Sequence, residues 1–154
     1  MKTVEEKLGV LSKIAAVLNG QNIIWAVGAS LLLYLKGYVD DFNDIDLMVQ
    51  EKDALCAKDM LTGLGLLQNV GGNKYQSNHF YVFMIDGVEV DIMGGFIVPY
   101  NGRKYECFLK KEDIRDHIQV NGQSIPLDSV ALWRGRYEAM GRLEKVRMID
   151  GKSI

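Results

Sequence analysis

The chain has 154 residues, of which 48% are hydrophobic and 25% are charged, and its formal net charge at pH 7 is −2. This length suits a single domain, residues 1–154, that buries its own core, and the composition excludes a disordered or fibrous protein. The small negative charge disfavours nucleic acid as a partner, because proteins that bind nucleic acid are usually strongly basic.

Cysteine usage and the apolar segments indicate a cytoplasmic protein. Cys56 and Cys107 are far apart and match no metal-binding spacing, so we expect reduced thiols. The first residues, MKTVEEKLGV, are acidic and amphipathic, which is unlike a signal or transit peptide. Every long apolar stretch is interrupted by glycine or polar residues, so no membrane span is predicted.

The first part of the chain predicts a helix, a strand and a second helix. Thr3 and Glu6 form a capping-box pattern, and apolar residues then recur at helical spacing as far as Leu18. The unbroken apolar run IIWAV (residues 23–27) is typical of a strand that is buried on both faces. The next segment, ASLLLYLK (residues 29–36), predicts a short helix.

The rest of the chain adds strands, hairpins and a last helix. DIDLMVQ (residues 44–50) predicts a second strand, and Asp53 is a candidate cap for a third helix over residues 54–64. A single final helix is predicted over residues 129–149, with Trp133 in its buried face. Tight hairpins are predicted at Asp86-Gly87, Asn101-Gly102 and Asn121-Gly122. This order predicts an α/β (α+β) domain with a mixed β-sheet flanked by helices.

Acidic residues accompany two of the predicted strands. Asp44 and Asp46 point to one side of the first, and Glu89 and Asp91 point to one side of VEVDIM (residues 88–93). If the strands are neighbours, Asp44, Asp46 and Asp91 come together as oxygen ligands for Mg²⁺, an arrangement typical of nucleotidyl transfer. The alternative is a solvated acidic pair, which is common on exposed strands. We expect Glu89 to be exposed, with a fourth metal ligand as the alternative.

A candidate phosphate site precedes the acidic strand. Gly28 would let the backbone approach a phosphate, and Ser30 would offer a hydroxyl at the start of the predicted second helix. Ser30 could instead act only as the N-cap of that helix. Because the glycine, the paired aspartates and the later strand aspartate occur in this order, the combination is more specific than any one motif.

These motifs, VGASLLLYLKG, DFNDIDLMV and VEVDIM, resemble the signatures of the DNA polymerase β-like nucleotidyltransferase superfamily. The chain is most similar to small bacterial members, the minimal, lincosamide and aminoglycoside nucleotidyltransferases. The resemblance implies the nucleotidyltransferase fold, an NTP substrate, Mg²⁺ as cofactor and release of pyrophosphate. It further implies NTP phosphate contacts at Gly28, Ala29 and Ser30, and metal and catalytic roles for Asp44, Asp46 and Asp91.

Two positions depart from the family pattern. The chain has Gly28-Ala29-Ser30 where members often have Gly-Gly or Gly-Ser, and Asn43 stands where Ser or Thr is common. The predicted last helix is rich in basic residues, and related enzymes bind the triphosphate with basic residues from a late helix. Arg142 and Lys145 are therefore candidate nucleotide-binding residues. The alternative is a solvated face, in which Glu138 and Arg142 form an i,i+4 ion pair.

The resemblance therefore implies an Mg²⁺-dependent nucleotidyltransferase. It would transfer an NMP group from an NTP, with ATP favoured, to a hydroxyl of a small molecule, for example an antibiotic, or of a protein. Asp40 and Asp41, taken as solvated charges at the mouth of the site, would suit a cationic aminoglycoside, which would make the protein an antibiotic-resistance enzyme. The alternatives are an antitoxin-like partner protein and a non-catalytic nucleotide-binding module. A homodimer would complete a cleft that so small a domain only half encloses.

Overall fold

The computed structural model describes residues 2–69 and 77–152, as five α-helices and nine β-strands. The helices are α1 (Val4–Asn19), α2 (Ala29–Leu35), α3 (Ala54–Leu61), α4 (Val130–Met140) and α5 (Leu143–Lys152). The strands are β1 (Trp25–Val27), β2 (Ile45–Val49), β3 (Leu66–Leu67), β4 (His79–Ile85), β5 (Val88–Gly94), β6 (Ile97–Tyr100), β7 (Arg103–Glu106), β8 (Asp116–Val120) and β9 (Gln123–Leu127).

Seven of these strands form a mixed sheet in the order β3-β4-β5-β2-β1-β9-β8. The pairs β2–β5 and β1–β9 are parallel, and the other neighbours are antiparallel. Strands β6 and β7 form a separate hairpin that packs against α4. Helices α1 and α3 contact each other and pack on one face of the sheet. The predicted mixed sheet with flanking helices is therefore confirmed.

The three predicted hairpins are confirmed, and each one turns at the dipeptide that predicts it. Positive φ angles occur at both residues of each turn, as a type I′ turn requires, and Asn or Asp followed by Gly tolerates them best. The turns join β4 to β5 at Asp86-Gly87, β6 to β7 at Asn101-Gly102, and β8 to β9 at Asn121-Gly122.

Two predictions about the helices are wrong. The predicted final helix is divided into α4 and α5, because Gly141 adopts a left-handed conformation (φ 78°) and its N–H caps α4. Asp53 occupies the N-cap position of α3, but its carboxylate accepts a hydrogen bond from the Ile24 N–H at 3.1 Å instead of capping the helix. This bond ties the start of α3 to the entrance of β1.

The core lies between the sheet and the helices that cover it. Helix α1 begins with the predicted capping box, in which Thr3 and Glu6 exchange hydrogen bonds, and its apolar stripe is buried. Both tryptophans are buried as predicted, Trp25 at 3% exposure and Trp133 at 1%. Over the part of the chain that the structure describes, no helix is both long and apolar enough to cross a membrane.

Candidate active site

The parallel pairing of β2 and β5 determines where the acidic residues lie. Asp46 is directly opposite Asp91 in the register, and Ile45 is opposite Val90. Because side chains alternate along both strands, Ile45 and Val90 enter the core, fully buried, while the aspartates face the other side. The structure therefore brings together the three carboxylates predicted from the sequence, Asp44, Asp46 and Asp91.

Glu89 joins this cluster, so its predicted exposure is wrong. Its side chain is half-buried, and carboxylate oxygens of Asp44, Glu89 and Asp91 lie within 4.8 Å of one another. Asp46 lies beside Asp91 but outside that group of three. The signal was present in the sequence, because Glu89 and Asp91 are two residues apart on one strand and must share its face.

The electrostatics of the cluster indicate negative charge that the protein itself does not compensate. Burial, followed by the neighbouring carboxylates, raises the pKa of Asp44 to about 6, of Asp46 to about 7 and of Asp91 to about 9. Within residues 2–69 and 77–152, the buried Oδ1 of Asp91 has no hydrogen-bond partner. A site of oxygen ligands with this surplus of negative charge fits a hard divalent cation such as Mg²⁺.

A cavity of about 410 Å³ is lined by these carboxylates and also by cationic side chains. Ser30, Arg142 and Lys145 line it together with Asp44, Asp46 and Asp91. Lys145 Nζ donates to Ser30 Oγ at 3.4 Å. Burial, and then the nearby Arg142, lowers the pKa of Lys145. All six of the predicted polar side chains therefore border one cavity.

The predicted Glu138–Arg142 ion pair is wrong. Arg142 pairs with Glu144 at 3.1 Å, and Glu138 pairs with Arg134 at 3.6 Å. The reason is the break at Gly141, which leaves Glu138 in α4 and places Arg142 just before α5, on the wall of the cavity. The position of Arg142 thus depends on the end of α4 at Gly141, which the sequence pattern did not predict.

The residues at positions 28–30 have structural roles that differ from the predicted phosphate contacts and N-cap. A Cβ on Gly28 would lie 2.6 Å from the Trp133 ring, so the glycine is required by this packing. Ala29 has φ 52°, a left-handed conformation that is unfavourable for alanine and easy for the glycine that the family pattern often has there. Gly28, and not Ser30, is the N-cap of α2, so the N-cap alternative for Ser30 is wrong.

A buried ion pair, which the sequence did not reveal, supports the wall formed by Trp133. The Asp128 carboxylate accepts hydrogen bonds from Arg136 Nη1 at 2.7 Å, Trp133 Nε1 at 3.1 Å and the Ser129 N–H at 2.8 Å. Asp128 and Arg136 are each 3% exposed. In the sequence, Asp128 lies where the predicted final helix begins, and Arg136 is one of the basic residues that the alternative interpretation places on a solvated face of that helix. This network holds Trp133 against Gly28 and Phe96, at the inner end of the cavity.

A second buried cation, Lys7, supports the loop that precedes Asp44. Its Nζ reaches from α1 to pair with Asp41 at 2.8 Å, and it also donates to the Phe42 carbonyl. It lies 4.7 Å from the centre of the Phe42 ring. Asp41 is exposed, as predicted for a solvated charge, and it also forms an ion pair with Lys7. Lys7 falls within the apolar stripe of α1, between Ile14 and Leu18 around the helix, and this position is the local signal for a buried lysine that the sequence analysis missed.

Comparisons with known proteins agree with this geometry. The chain aligns with a proposed nucleotidyltransferase from Thermotoga maritima at 26% identity and a TM-score of 0.74, over 95% of this chain and 91% of that one. No curated protein sequence matches the chain.

Two antibiotic adenylyltransferases share the fold. ANT(2'')-Ia in complex with adenylyl-2''-tobramycin aligns at 11% identity and a TM-score of 0.61, over 92% of this chain and 86% of that one. The lincomycin-bound lincosamide adenylyltransferase LnuA aligns at 15% identity and a TM-score of 0.53, over 83% and 82%. The sequence profile of the aminoglycoside-2''-adenylyltransferase family matches residues 10–148. The chain therefore belongs to the aminoglycoside-2''-adenylyltransferase family.

Proposed function

We propose that this protein is an Mg²⁺-dependent nucleotidyltransferase that transfers an NMP group from an NTP, with ATP favoured, to a hydroxyl of a small molecule. The observation that carries this proposal is the pairing of Asp46 with Asp91 across two parallel strands, in a cavity that is also lined by Arg142 and Lys145. A cavity lined by both carboxylates and cations suits a substrate that carries both metal ions and phosphates.

The carboxylates are the proposed metal site. Asp44, Asp46 and Asp91 would hold Mg²⁺, and Glu89 is close enough to take part. A bound divalent cation would neutralise the cluster and the phosphates and polarise the reacting phosphoryl group. The unpartnered Oδ1 of Asp91 and the raised pKa values of all three aspartates support this assignment, because each indicates charge in need of a cation.

The cationic side chains are the proposed triphosphate site. Arg142 and Lys145 lie one helical turn apart on the same side of the chain, so both can contact phosphate oxygens. The Ser30 hydroxyl, already bonded to Lys145, can donate to another phosphate oxygen. Gly28 and Ala29 would shape the backbone around it. Lys145 and Arg142 would offset the negative charge of the triphosphate, which the carboxylates would otherwise repel.

The reaction follows from these positions. The acceptor hydroxyl oxygen forms a bond to the α-phosphorus, the bond from that phosphorus to the bridging oxygen breaks, and pyrophosphate leaves. Asp91 would take the hydroxyl proton, because it lies on the cavity beside the proposed metal site and a bound cation would keep its carboxylate ionised. The rest of the rate enhancement would come from orientation and charge stabilisation, which need no further functional group.

Small molecules are the favoured acceptors. The ANT(2'')-Ia and LnuA structures hold an adenylylated aminoglycoside and a lincosamide, which supports a role in antibiotic modification for this relative. A non-catalytic module or an antitoxin-like partner would not need the cluster of carboxylates together with two cations, so these alternatives are less well supported. We further propose that the reaction takes place in the cytoplasm, where NTPs are available.

The test combines binding with turnover. We expect calorimetry to detect NTP binding in Mg²⁺ and to lose it in EDTA and in Asp44→Asn and Asp46→Asn. Asp59→Asn, an exposed carboxylate on α3, is the matched control and should bind as the wild type does. Asp91→Asn should retain NTP binding better than turnover, measured as pyrophosphate release with a panel of hydroxyl acceptors. Failure of every NTP to bind the folded wild-type protein in Mg²⁺ would refute the proposal.

A further inference from the structure

The face of the sheet that bears the carboxylates continues as an apolar surface across β4 and β3. Val82 lies opposite Asp91 in the register of β4 and β5, and Met84 lies opposite Glu89. Leu66 of β3 lies opposite Met84. Residues directly opposite each other on neighbouring strands share a face of the sheet, so rows of side chains run outward from the acidic cluster.

The cavities confirm that this surface adjoins the acidic cluster. Phe80 borders the same cavity as Asp91, and Met84 borders a neighbouring groove of about 240 Å³ together with Glu89. The intervening β4 residue Tyr81 points the other way, under Lys58 of α3. Met84 is 36% exposed and Leu66 is 74% exposed. We call Phe80, Val82, Met84 and Leu66 the apolar platform.

The geometry of the proposed reaction assigns this platform to the acceptor. Ser30 follows β1, which lies on the far side of β2 from β5, and Lys145 is bonded to it. The leaving pyrophosphate would therefore lie toward β1. Because attacking and leaving oxygens are in line at the phosphorus, the acceptor must approach from the opposite side, over β5 and β4.

The charge of the platform restricts the class of acceptor. Over the described residues of β3 and β4, its outward side chains carry no carboxylate. Lys2 and Lys7 border the groove that contains Met84, and the two carboxylates on that groove, Asp44 and Glu89, belong to the proposed metal site. A polycation would leave its charges unpaired on such a surface, whereas an apolar face would be buried there favourably.

We propose that the apolar platform binds the acceptor, and that the acceptor is an amphipathic hydroxyl compound with at most one positive charge. This inference rests on the proposed nucleotidyl transfer at the adjoining site, since it uses the direction of that reaction. It separates this chain from a relative whose acceptor is a polycationic aminoglycoside, and it identifies Met84 and Leu66 as determinants of specificity.

A binding experiment tests the platform without turnover. The protein is labelled with ¹³C at its methionine methyl groups and titrated with glucose, hexyl glucoside or tobramycin. Each titration is run with and without Mg²⁺ and an ATP analogue that cannot react, because a methylene replaces the oxygen between its α- and β-phosphorus atoms. Hexyl glucoside should shift the Met84 methyl signal, and glucose should not. Met148, which is 44% exposed on α5, is the matched control and should not shift. Met84→Leu assigns the signal.

A transfer experiment gives the second readout. Pyrophosphate release should favour hexyl glucoside over both glucose and tobramycin in kcat/KM by about tenfold or more, because the alkyl chain adds buried apolar area. Met84→Asp should raise KM for hexyl glucoside with little change in NTP binding. The control Leu55→Asp, at a leucine on α3 that is 57% exposed and outside the platform, should leave both unchanged.

The outcomes separate the two proposals. A Met84 signal that stays fixed with hexyl glucoside, or a preference for tobramycin, would overturn the assignment of the platform even if the NTP binds and turns over. Loss of NTP binding with the platform titration intact would overturn the proposed function alone. The methyl titration decides the platform's role even where all three acceptors turn over slowly.

Discussion

Removing the charge of Asp128 should destabilise the protein more than any other single Asp-to-Asn change outside the proposed metal site. The Asp128 side chain is fully buried and is the ion-pair partner of Arg136, whose side chain is 3% exposed. Asp128→Asn preserves the shape of the side chain but leaves the Arg136 charge buried without a counter-ion. Breaking a buried pair in this way costs about 3–5 kcal/mol.

The loss of stability should appear as a lower melting temperature and a lower urea midpoint. For a chain of this size, each kcal/mol corresponds to about 2–4 °C, so Asp128→Asn, which costs about 3–5 kcal/mol, should lower Tm by about 6–20 °C. Asp116→Asn is the matched control, because Asp116 is also ion-paired, to Lys36, but its side chain is 59% exposed. An exposed pair of this kind contributes about 0–1 kcal/mol.

A double variant tests the reasoning itself. Asp128→Asn combined with Arg136→Met removes both charges, and the flexible apolar chain can occupy the space of the arginine, so more than half of the lost stability should return. If the two losses were additive, or if Asp128→Asn melted within about 2 °C of the Asp116→Asn control, the ion pair would not be what holds α4 against β1.

Three further changes test the site and its surroundings. Mg²⁺ should raise the Tm of the wild type more than that of Asp91→Asn. In EDTA the wild type should lose more stability than Asp91→Asn as pH rises toward 9, because burial raises the pKa of Asp91 to about 9 and the stabilisation from its protonated form is lost as pH rises through that value. Ala29→Gly should raise the unfolding free energy by about 0.5–1 kcal/mol in a urea titration, since it relieves a left-handed alanine, and a decrease would contradict this. A thiol reagent should label the native chain once, at the exposed Cys56, and twice in urea, because burial raises the pKa of the Cys107 thiol to about 11.

The sequence predicted features that depend on local pattern. Hairpins at Asp-Gly and Asn-Gly, the capping box of α1 and the alternation of β2 are set by residues close together in the chain. The same local logic placed Asp44, Asp46 and Asp91 on one side of two strands. Their register is a non-local fact, but only one face of each strand is apolar, and that permits few pairings.

Other features depend on neighbours that no local pattern reveals. Lys7 is separated from Asp41 by 34 residues, and Lys145 from Ser30 by 115. Gly28 suggested a phosphate loop, but its Cβ position is closed by Trp133, which lies far along the chain. The sequence suggested that Arg136 is a surface charge. Its partner Asp128 lies in the turn before the same helix, where an aspartate usually caps the helix N-terminus, so no local pattern indicated an ion pair between the two.

The unfavourable features of this fold lie around one cavity, and this distribution is itself informative. Four carboxylates repel one another there, one carboxylate oxygen is buried without a partner, and Ala29 is held in a strained conformation. The buried Asp128–Arg136 ion pair on one side, and on the other the pair between the buried Lys7 and the exposed Asp41, hold the elements that bear them. A chain that only needed to fold would gain stability by replacing these residues. Their retention is understandable if a cation and a polyphosphate bind in this cavity. The cation would relieve the repulsion among the carboxylates, and the polyphosphate would relieve the repulsion between Arg142 and Lys145.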